Sequence, residues 1–314
     1  MKYIESFKEG NKISGIYLCK YKQSAVTKNG KAYENLILQD KTGTVDSKIW
    51  DPNSQGIAEF EALDYVDVTA EVTSFQGALQ LNIKRLRKAG RAEYNPADYL
   101  PVSERDIEEM YRELLEFAAQ VQEPHLRALL HNMFAEDTEF AEAFRLHSAA
   151  KTVHHSFVGG LLEHTLGVCR LCAYYAEAYP LLNRDLLYTA AMCHDIGKVY
   201  ELSDFPENDY TDEGQLLGHI AMGSEMVGEQ IRRISGFPRK LANELKHCIL
   251  AHHGELEYGS PKKPALAEAV ALNLADNTDA KMQTMKEIFK AAGNNTDWLG
   301  YNRLFESNIR KTGG

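Results

Sequence analysis

Between residues 12 and 86 the apolar positions fall into short β-type runs separated by turn residues. They predict strands at Lys12–Tyr21, Ala32–Gln39, Thr44–Trp50, Asp64–Ser74 and Ala78–Leu86, cut by Asn29-Gly30, Lys41-Thr42-Gly43, Asp51-Pro52-Asn53 and Gln76-Gly77. Alternation is clearest over Tyr65–Val72, where Val66, Val68, Ala70 and Val72 share one face. The stretch Ile57–Leu63 predicts a short helix between the third and fourth strands. Residues 93–103, with Pro96 and Pro101, read as a linker, and Ser103 reads as the N-cap of the first long helix. Beyond it the periodicity is almost purely helical, over roughly 104–121, 124–134, 137–149, 156–178, 184–199, 215–235, 238–252, 264–281 and 283–292.

Five strands with a helix between the third and fourth form the pattern of an OB-fold barrel. The expected fold class is therefore two-domain: a small all-β barrel over 1–92, then an all-α part made of a helical connector (104–155) and a main helical domain (156–310). A length of 314 residues accommodates both. Charge divides along the same line. Residues 1–92 hold 14 basic and 11 acidic side chains, a net of +3, whereas the remainder holds 21 and 34, a net of −13. A mildly basic first domain joined to an acidic second one suggests separate tasks.

Apolar runs such as Leu186–Cys193 are far shorter than the ~20 residues of a membrane helix. Met1–Glu5 opens without an apolar segment, so the expected location is the cytoplasm, with no membrane partner. Five cysteines are too few and too odd in number for a disulfide framework. Cys169 and Cys172 form a C-x-x-C inside a helical stretch with no second cysteine pair nearby, which favours plain helix packing. A P-loop motif is absent.

Eight of the eleven histidines lie between residues 154 and 253. His164 follows Gly-Gly-Leu-Leu-Glu on one helix, His194-Asp195 closes an otherwise apolar one, and Asp276 sits on a third apolar background. Polar groups on apolar helix faces are costly to bury without partners. Two imidazoles and two carboxylates converging from rigid elements suit a divalent metal. These residues resemble the HD-superfamily metal-dependent phosphohydrolases, whose pattern H…HD…D falls here on His164, His194-Asp195 and Asp276. The HDIGK form at 194–198 makes the resemblance specific, and it covers about residues 150–285.

That resemblance extends to His219 and the His252-His253 pair, and implies two metal ions bridged by Asp195. The second ion would use Asp195, His219 and one histidine of the pair. Adjacent helical residues point ~100° apart, which favours His252 and leaves His253 as a phosphate contact or alternate ligand. The implied chemistry is attack of a metal-activated hydroxide on phosphorus. Lys198, one helical turn after His194 if the helix continues, is a candidate to hold a phosphate oxygen. On one continuous helix His155, which follows His154, would face away from His164, so it is a weak ligand candidate whose other roles are to line the substrate channel or cap the helix.

The first domain offers aromatic and basic side chains of the kind that bind single strands by base stacking in a basic groove. The candidates are Tyr17, Lys20, Tyr21, Lys22, Tyr33, Lys48, Trp50, Phe75, Lys84 and Arg85, with Lys28 among the further lysines. Barrel followed by HD domain, at this length, resembles the YhaM-type 3′-to-5′ exoribonucleases. The resemblance implies a cytoplasmic Mn²⁺-type hydrolase that shortens single-stranded RNA, with single-stranded DNA as a further substrate. The residues alone stop at a divalent-metal phosphohydrolase tethered to a single-strand binder. The alternative is a hydrolase of small nucleotides, a dNTP or cyclic dinucleotide, with the barrel serving assembly. Whether the chain forms a homo-oligomer is left open by the sequence.

Overall fold

The structure, a computed structural model, describes residues 2–27, 29–151, 155–293, 295 and 297–312. Lys28 and His154 lie outside the described residues. The chain divides into two compact units, one of residues 1–102 with 205–207, the other of the remaining residues.

The first unit is a closed five-stranded barrel of order β1-β2-β3-β5-β4, built from β1 (Lys12–Val26), β2 (Ala32–Asp40), β3 (Gly43–Ile49), β4 (Tyr65–Phe75) and β5 (Ala78–Lys88). This is the expected OB arrangement. Strand β1 is long enough to serve two neighbours. Its first half pairs with β4 and its second with β2, and a register shift at Cys19/Tyr21 bends it between them. The parallel β3–β5 pairing closes the barrel. Val66, Val68, Ala70 and Val72 all point into the core, as their alternation predicts.

The short helix expected at Ile57–Leu63 does not form. Ile57 bridges Leu86 instead, while the Ala58 and Leu63 amides donate to the carbonyls of Leu86 and Cys19. Those backbone bonds hold the segment out of a helix, ending it in a turn at residues 62–63, while Phe60 fills the core. Residues 91–102 contain two 3-10 turns, and Tyr94 stacks on Tyr65 of the barrel with Tyr99 edge-on to both.

The second unit contains α1 (Ile107–Ala119), α2 (Pro124–His131), α3 (Thr138–Leu146), α4 (Gly160–Ala178), α5 (Arg184–Cys193), the single turn α6 (Lys198–Glu201), α7 (Asp212–Arg233), α8 (Arg239–Leu250) and α9 (Ala267–Ala292). Capping explains several of its boundaries. Asp106, not Ser103, caps α1 by accepting from the Glu109 amide; Asp137, Asn183 and Thr211 do the same for α3, α5 and α7. The break expected near residue 282 is absent, because Ala280–Thr284 contains no glycine or proline and α9 runs through. A terminal hairpin, β6 (Trp298–Asn302) with β7 (Ser307–Arg310), was not expected from the pattern.

Helices α4, α5 and α9 pack on one another. All five cysteines are free and buried, and Cys169 and Cys172 lie in the main apolar cluster, consistent with a packing role. Phe134, Phe140 and Phe144 form one aromatic knot in that cluster, with centroids 5.2–5.9 Å apart. Phe144→Ala should cost about 3–5 kcal/mol in urea unfolding. Leu216→Ala, at a side chain 83% exposed, should change stability by less than about 0.5 kcal/mol.

Candidate metal centre

Five helices deliver the histidines and aspartates to one place. His164 lies on the buried face of α4. His194 and Asp195 follow directly on the last residue of α5, and His252-His253 lie just past the end of α8. Asp276 comes from α9. His219 depends on a break in α7, where Gly218 has φ 74° and ψ 151°. That region of backbone space is essentially reserved for glycine.

Asp195 is the hub, 2% exposed. Its Oδ2 lies 3.4 Å from Nε2 of both His164 and His194. On the same side, Asp276 Oδ1 is 3.2 Å from His164 Nε2 and 4.0 Å from His194 Nε2. The other oxygen of Asp195, Oδ1, lies 3.5 Å from Nε2 of both His219 and His252. The donor atoms of His219, His252 and His253 all fall within 4.8 Å of one another, as do those of His164, His194 and Asp276. The two sets therefore meet at the two oxygens of one carboxylate.

Each imidazole is oriented through its other nitrogen. His194 and His252 donate Nδ1–H to the carbonyls of Ala191 (2.8 Å) and Ile249 (2.7 Å), each three residues back in the preceding helix. His253 donates to the Tyr258 carbonyl (2.8 Å). His164 donates to Asp279 Oδ2 (2.7 Å), and His219 to Glu201 Oε1 (2.9 Å). Each ring thus turns its Nε2 towards Asp195 or its neighbours, the arrangement in which a second hydrogen bond fixes the tautomer of a metal-binding histidine. Asp279 and Glu201 carry no signal in the sequence pattern. Asp279 shares a helix face with Asp276, three residues earlier. Gly167 leaves it room, since a Cβ there would sit 1.9 Å from Asp279 Oδ1.

The electrostatics call for a cation. Asp195 Oδ1, His219 Nε2 and His252 Nε2 are buried and make no hydrogen bond among the described residues, so three acceptor atoms face one another. That is unfavourable unless a positive charge lies among them. The donor set, imidazole nitrogen with carboxylate oxygen, fits a divalent transition metal. Burial alone would raise the Asp195 carboxyl; the Lys198 ammonium, 2.7 Å from Oδ2, and the imidazoles of His194 and His164 outweigh it and hold it well below its usual value. Burial opposes charge on His164 as well, but Asp195, Asp276 and Asp279 raise it well above the usual imidazole value. Burial lowers His252 and His253, leaving their lone pairs ready at neutral pH.

Three readings of the sequence change here. His155 is not on the helix of His164. It precedes α4 in a left-handed turn (φ 59°) and reaches back, placing Nε2 3.0 Å from Asp279 Oδ2. His252 and His253 are not successive helical residues, because α8 has ended, so the ~100° separation does not apply and both face His219, with ring centroids 5.7 and 5.2 Å away. Lys198 does not extend the helix of His194. A turn at 194–197 folds it onto Asp195.

The HD-domain family matches residues 161–281. Among curated proteins, the 3′-5′ exoribonuclease YhaM of Geobacillus sp. (strain WCH70) is 34% identical over 284 residues, 90% of this chain and 86% of that one. The YhaM of Bacillus velezensis is 33% identical over 277 residues, 88% and 87% of the two chains. The chain belongs to the YhaM family of 3′-5′ exoribonucleases. Among solved structures, the second OB-fold domain of replication protein A from Methanococcus maripaludis is 17% identical, covering 29% of this chain and 95% of that one at a TM-score of 0.24.

The barrel sorts the aromatic candidates by exposure. Tyr17 is 0% exposed and its hydroxyl donates to the Lys2 carbonyl, so it is a core residue with no face for a base, contrary to expectation. Tyr33 and Trp50 lie together, ring centroids 5.3 Å apart, with the Lys48 ammonium 5.8 Å from the Tyr33 ring. Tyr21 and Phe75 are exposed, as are Lys20, Lys84 and Arg85. Lys22 is engaged, donating to the Phe60 carbonyl (2.6 Å).

Two outcomes test this site. Asp279→Asn and Glu201→Gln should each weaken Mn²⁺ binding about 10- to 100-fold while leaving the circular dichroism spectrum unchanged. His164, held protonated to above its usual value, must release that proton before Nε2 can bind an ion. Mn²⁺ affinity should therefore climb as pH rises and level off only above the usual imidazole range, once the ring is neutral. Calorimetric titration across that range reads this, and a flat profile would remove His164 from the ligand set.

Proposed function

We propose that the chain hydrolyses single-stranded RNA from its 3′ end using two divalent ions, most naturally Mn²⁺, in the cytoplasm. The observation that supports it most is one buried carboxylate, Asp195, whose two oxygens each face a separate set of imidazoles. His164, His194, Asp195 and Asp276 would hold one ion; Asp195, His219 and His252, with His253 at hand, would hold the other. Bound divalent ions supply Lewis acidity to the phosphoryl oxygens and lower the pKa of the attacking water.

The protein's own groups provide the rest. Glu201 and Asp279 keep the His219 and His164 rings in place. Lys198 offers the ammonium closest to Asp195 Oδ2, placed to meet a phosphate oxygen. The barrel domain, residues 1–92, holds the strand by stacking and charge through Tyr21, Tyr33, Trp50 and Phe75 with Lys20, Lys48, Lys84 and Arg85. The polarity of degradation is carried by the family relationship. Single-stranded DNA fits the same stacking chemistry as a secondary substrate.

The test is incubation of the full chain with 5′-labelled single-stranded RNA and Mn²⁺. A descending ladder of labelled products, lost with EDTA, is expected. Asp195→Asn should lower the rate about a hundredfold or more, because it removes the shared charge. Intact RNA alongside release of nucleotide or phosphate from a dNTP or cyclic dinucleotide would replace this reading with a small-nucleotide hydrolase.

A further inference from the structure

The terminal hairpin has an inner and an outer face. In β7, Ile309 is 6% exposed, while Asn308 and Arg310 on either side of it point outward. Trp298 pairs with Arg310 and Tyr301 with Asn308. Cross-strand partners share a face, so both rings belong to the outer one. They are three residues apart rather than two because the register shifts between them, at Gly300 with φ 95°. The rings are 65% and 64% exposed. The Arg310 guanidinium lies 5.8 Å from the Trp298 ring centroid, within cation–π range.

Charge singles out the same element. Residues 298–312 carry Arg303, Arg310 and Lys311 against Glu306 alone, a net of +2, in a region whose overall balance from residue 93 onward is −13. Two exposed aromatic rings flanked by guanidinium and ammonium groups have the chemistry that stacks unpaired bases and neutralises phosphates. Placement fits as well. Helix α9 carries Asp276 and Asp279 of the metal centre and leads into the hairpin. From Asp279 to the end of α9 at Ala292 is about 20 Å at 1.5 Å per residue.

We propose that the outer face of the β6–β7 hairpin is a second single-stranded RNA site, stacking bases on Trp298 and Tyr301 upstream of the nucleotide being removed. This rests on the RNA reading above. It also separates substrates by length, because the helix between Asp279 and the hairpin is itself about 20 Å long, more than a dinucleotide spans.

The chain has two tryptophans, Trp50 and Trp298, so Trp50→Phe leaves Trp298 as the sole reporter. In EDTA, where no cleavage competes, oligo(U) of about 20 nucleotides should quench its emission saturably, with added salt weakening the effect. In Mn²⁺, Trp298→Ala and Tyr301→Ala should each raise KM for the same oligonucleotide about five- to tenfold, with kcat and turnover of the dinucleotide UpU unchanged. Arg310→Gln should raise it less. Unquenched Trp298 emission together with wild-type KM values in the variants would overturn the proposal. So would a variant that instead lowers the sedimentation coefficient, marking the hairpin as a contact between copies of the chain. If wild-type protein fails to degrade RNA but oligo(U) still quenches Trp298, the hairpin site stands and the nuclease reading falls.

Discussion

Burying one carboxylate among imidazoles is the constraint around which the helical unit is organised. Asp195 lies at the meeting point of five helices with its charge retained, held by Lys198 on one oxygen and faced by His219 and His252 on the other. A buried ion without compensation is destabilising by several kcal/mol. Lys198 supplies one positive charge, but it approaches Oδ2 only, and the acceptors around Oδ1 remain unsatisfied. The helical framework thus holds together a set of groups that is satisfied only when cations are added, which is how a protein keeps binding energy in reserve for a metal.

The placement of these ligands follows from where helices stop. A helix leaves its last carbonyls without partners. His194 follows α5 directly and His252 lies two residues past α8, each folding back to donate Nδ1–H to a carbonyl three residues earlier. One hydrogen bond satisfies the helix end and fixes the tautomer of the ligand. Where no helix end is available, a carboxylate does the same work: Asp279 for His164 and Glu201 for His219. Glu201 has a double task, because the break at Gly218 frees the His219 amide, and the same Oε1 accepts it at 2.9 Å. An alanine at 218 would favour a continuous helix and carry the His219 ring away from Asp195.

The parts of this arrangement that could be read in the sequence are those where polarity breaks a pattern. His164 and Asp276 stand on apolar helices and His194-Asp195 closes an apolar one, so their burial could be read from the pattern. The strands were visible because Val66, Val68, Ala70 and Val72 alternate. Asp279 and Glu201 were hidden because acidic residues on helices are ordinary at exposed positions, and only the fold reveals that these two face inward. Tyr17 was misplaced for the complementary reason: a tyrosine in a strand can serve core or surface, and its hydroxyl found the Lys2 carbonyl. The segment Ile57–Leu63 has helix-forming residues, but partners distant in sequence, Leu86 and Cys19, took its backbone bonds. The terminal hairpin escaped notice because its exposed rings and bulge obscure the alternation of a two-stranded element.

Exposure separates the two aromatic surfaces from the core aromatics, and charge gives each the same chemistry. Trp50 with Tyr33 on the barrel and Trp298 with Tyr301 on the hairpin each have a cation beside a ring, Lys48 in one case and Arg310 in the other. Stacking is indifferent to base identity because every base offers a π face, and phosphate neutralisation is indifferent to sequence. A metal centre that must accept each successive nucleotide of a strand needs that indifference in whatever feeds it. The helical unit is acidic overall, so a local reversal of charge beside exposed rings, as at the hairpin, is where the proposed strand contact would meet least repulsion.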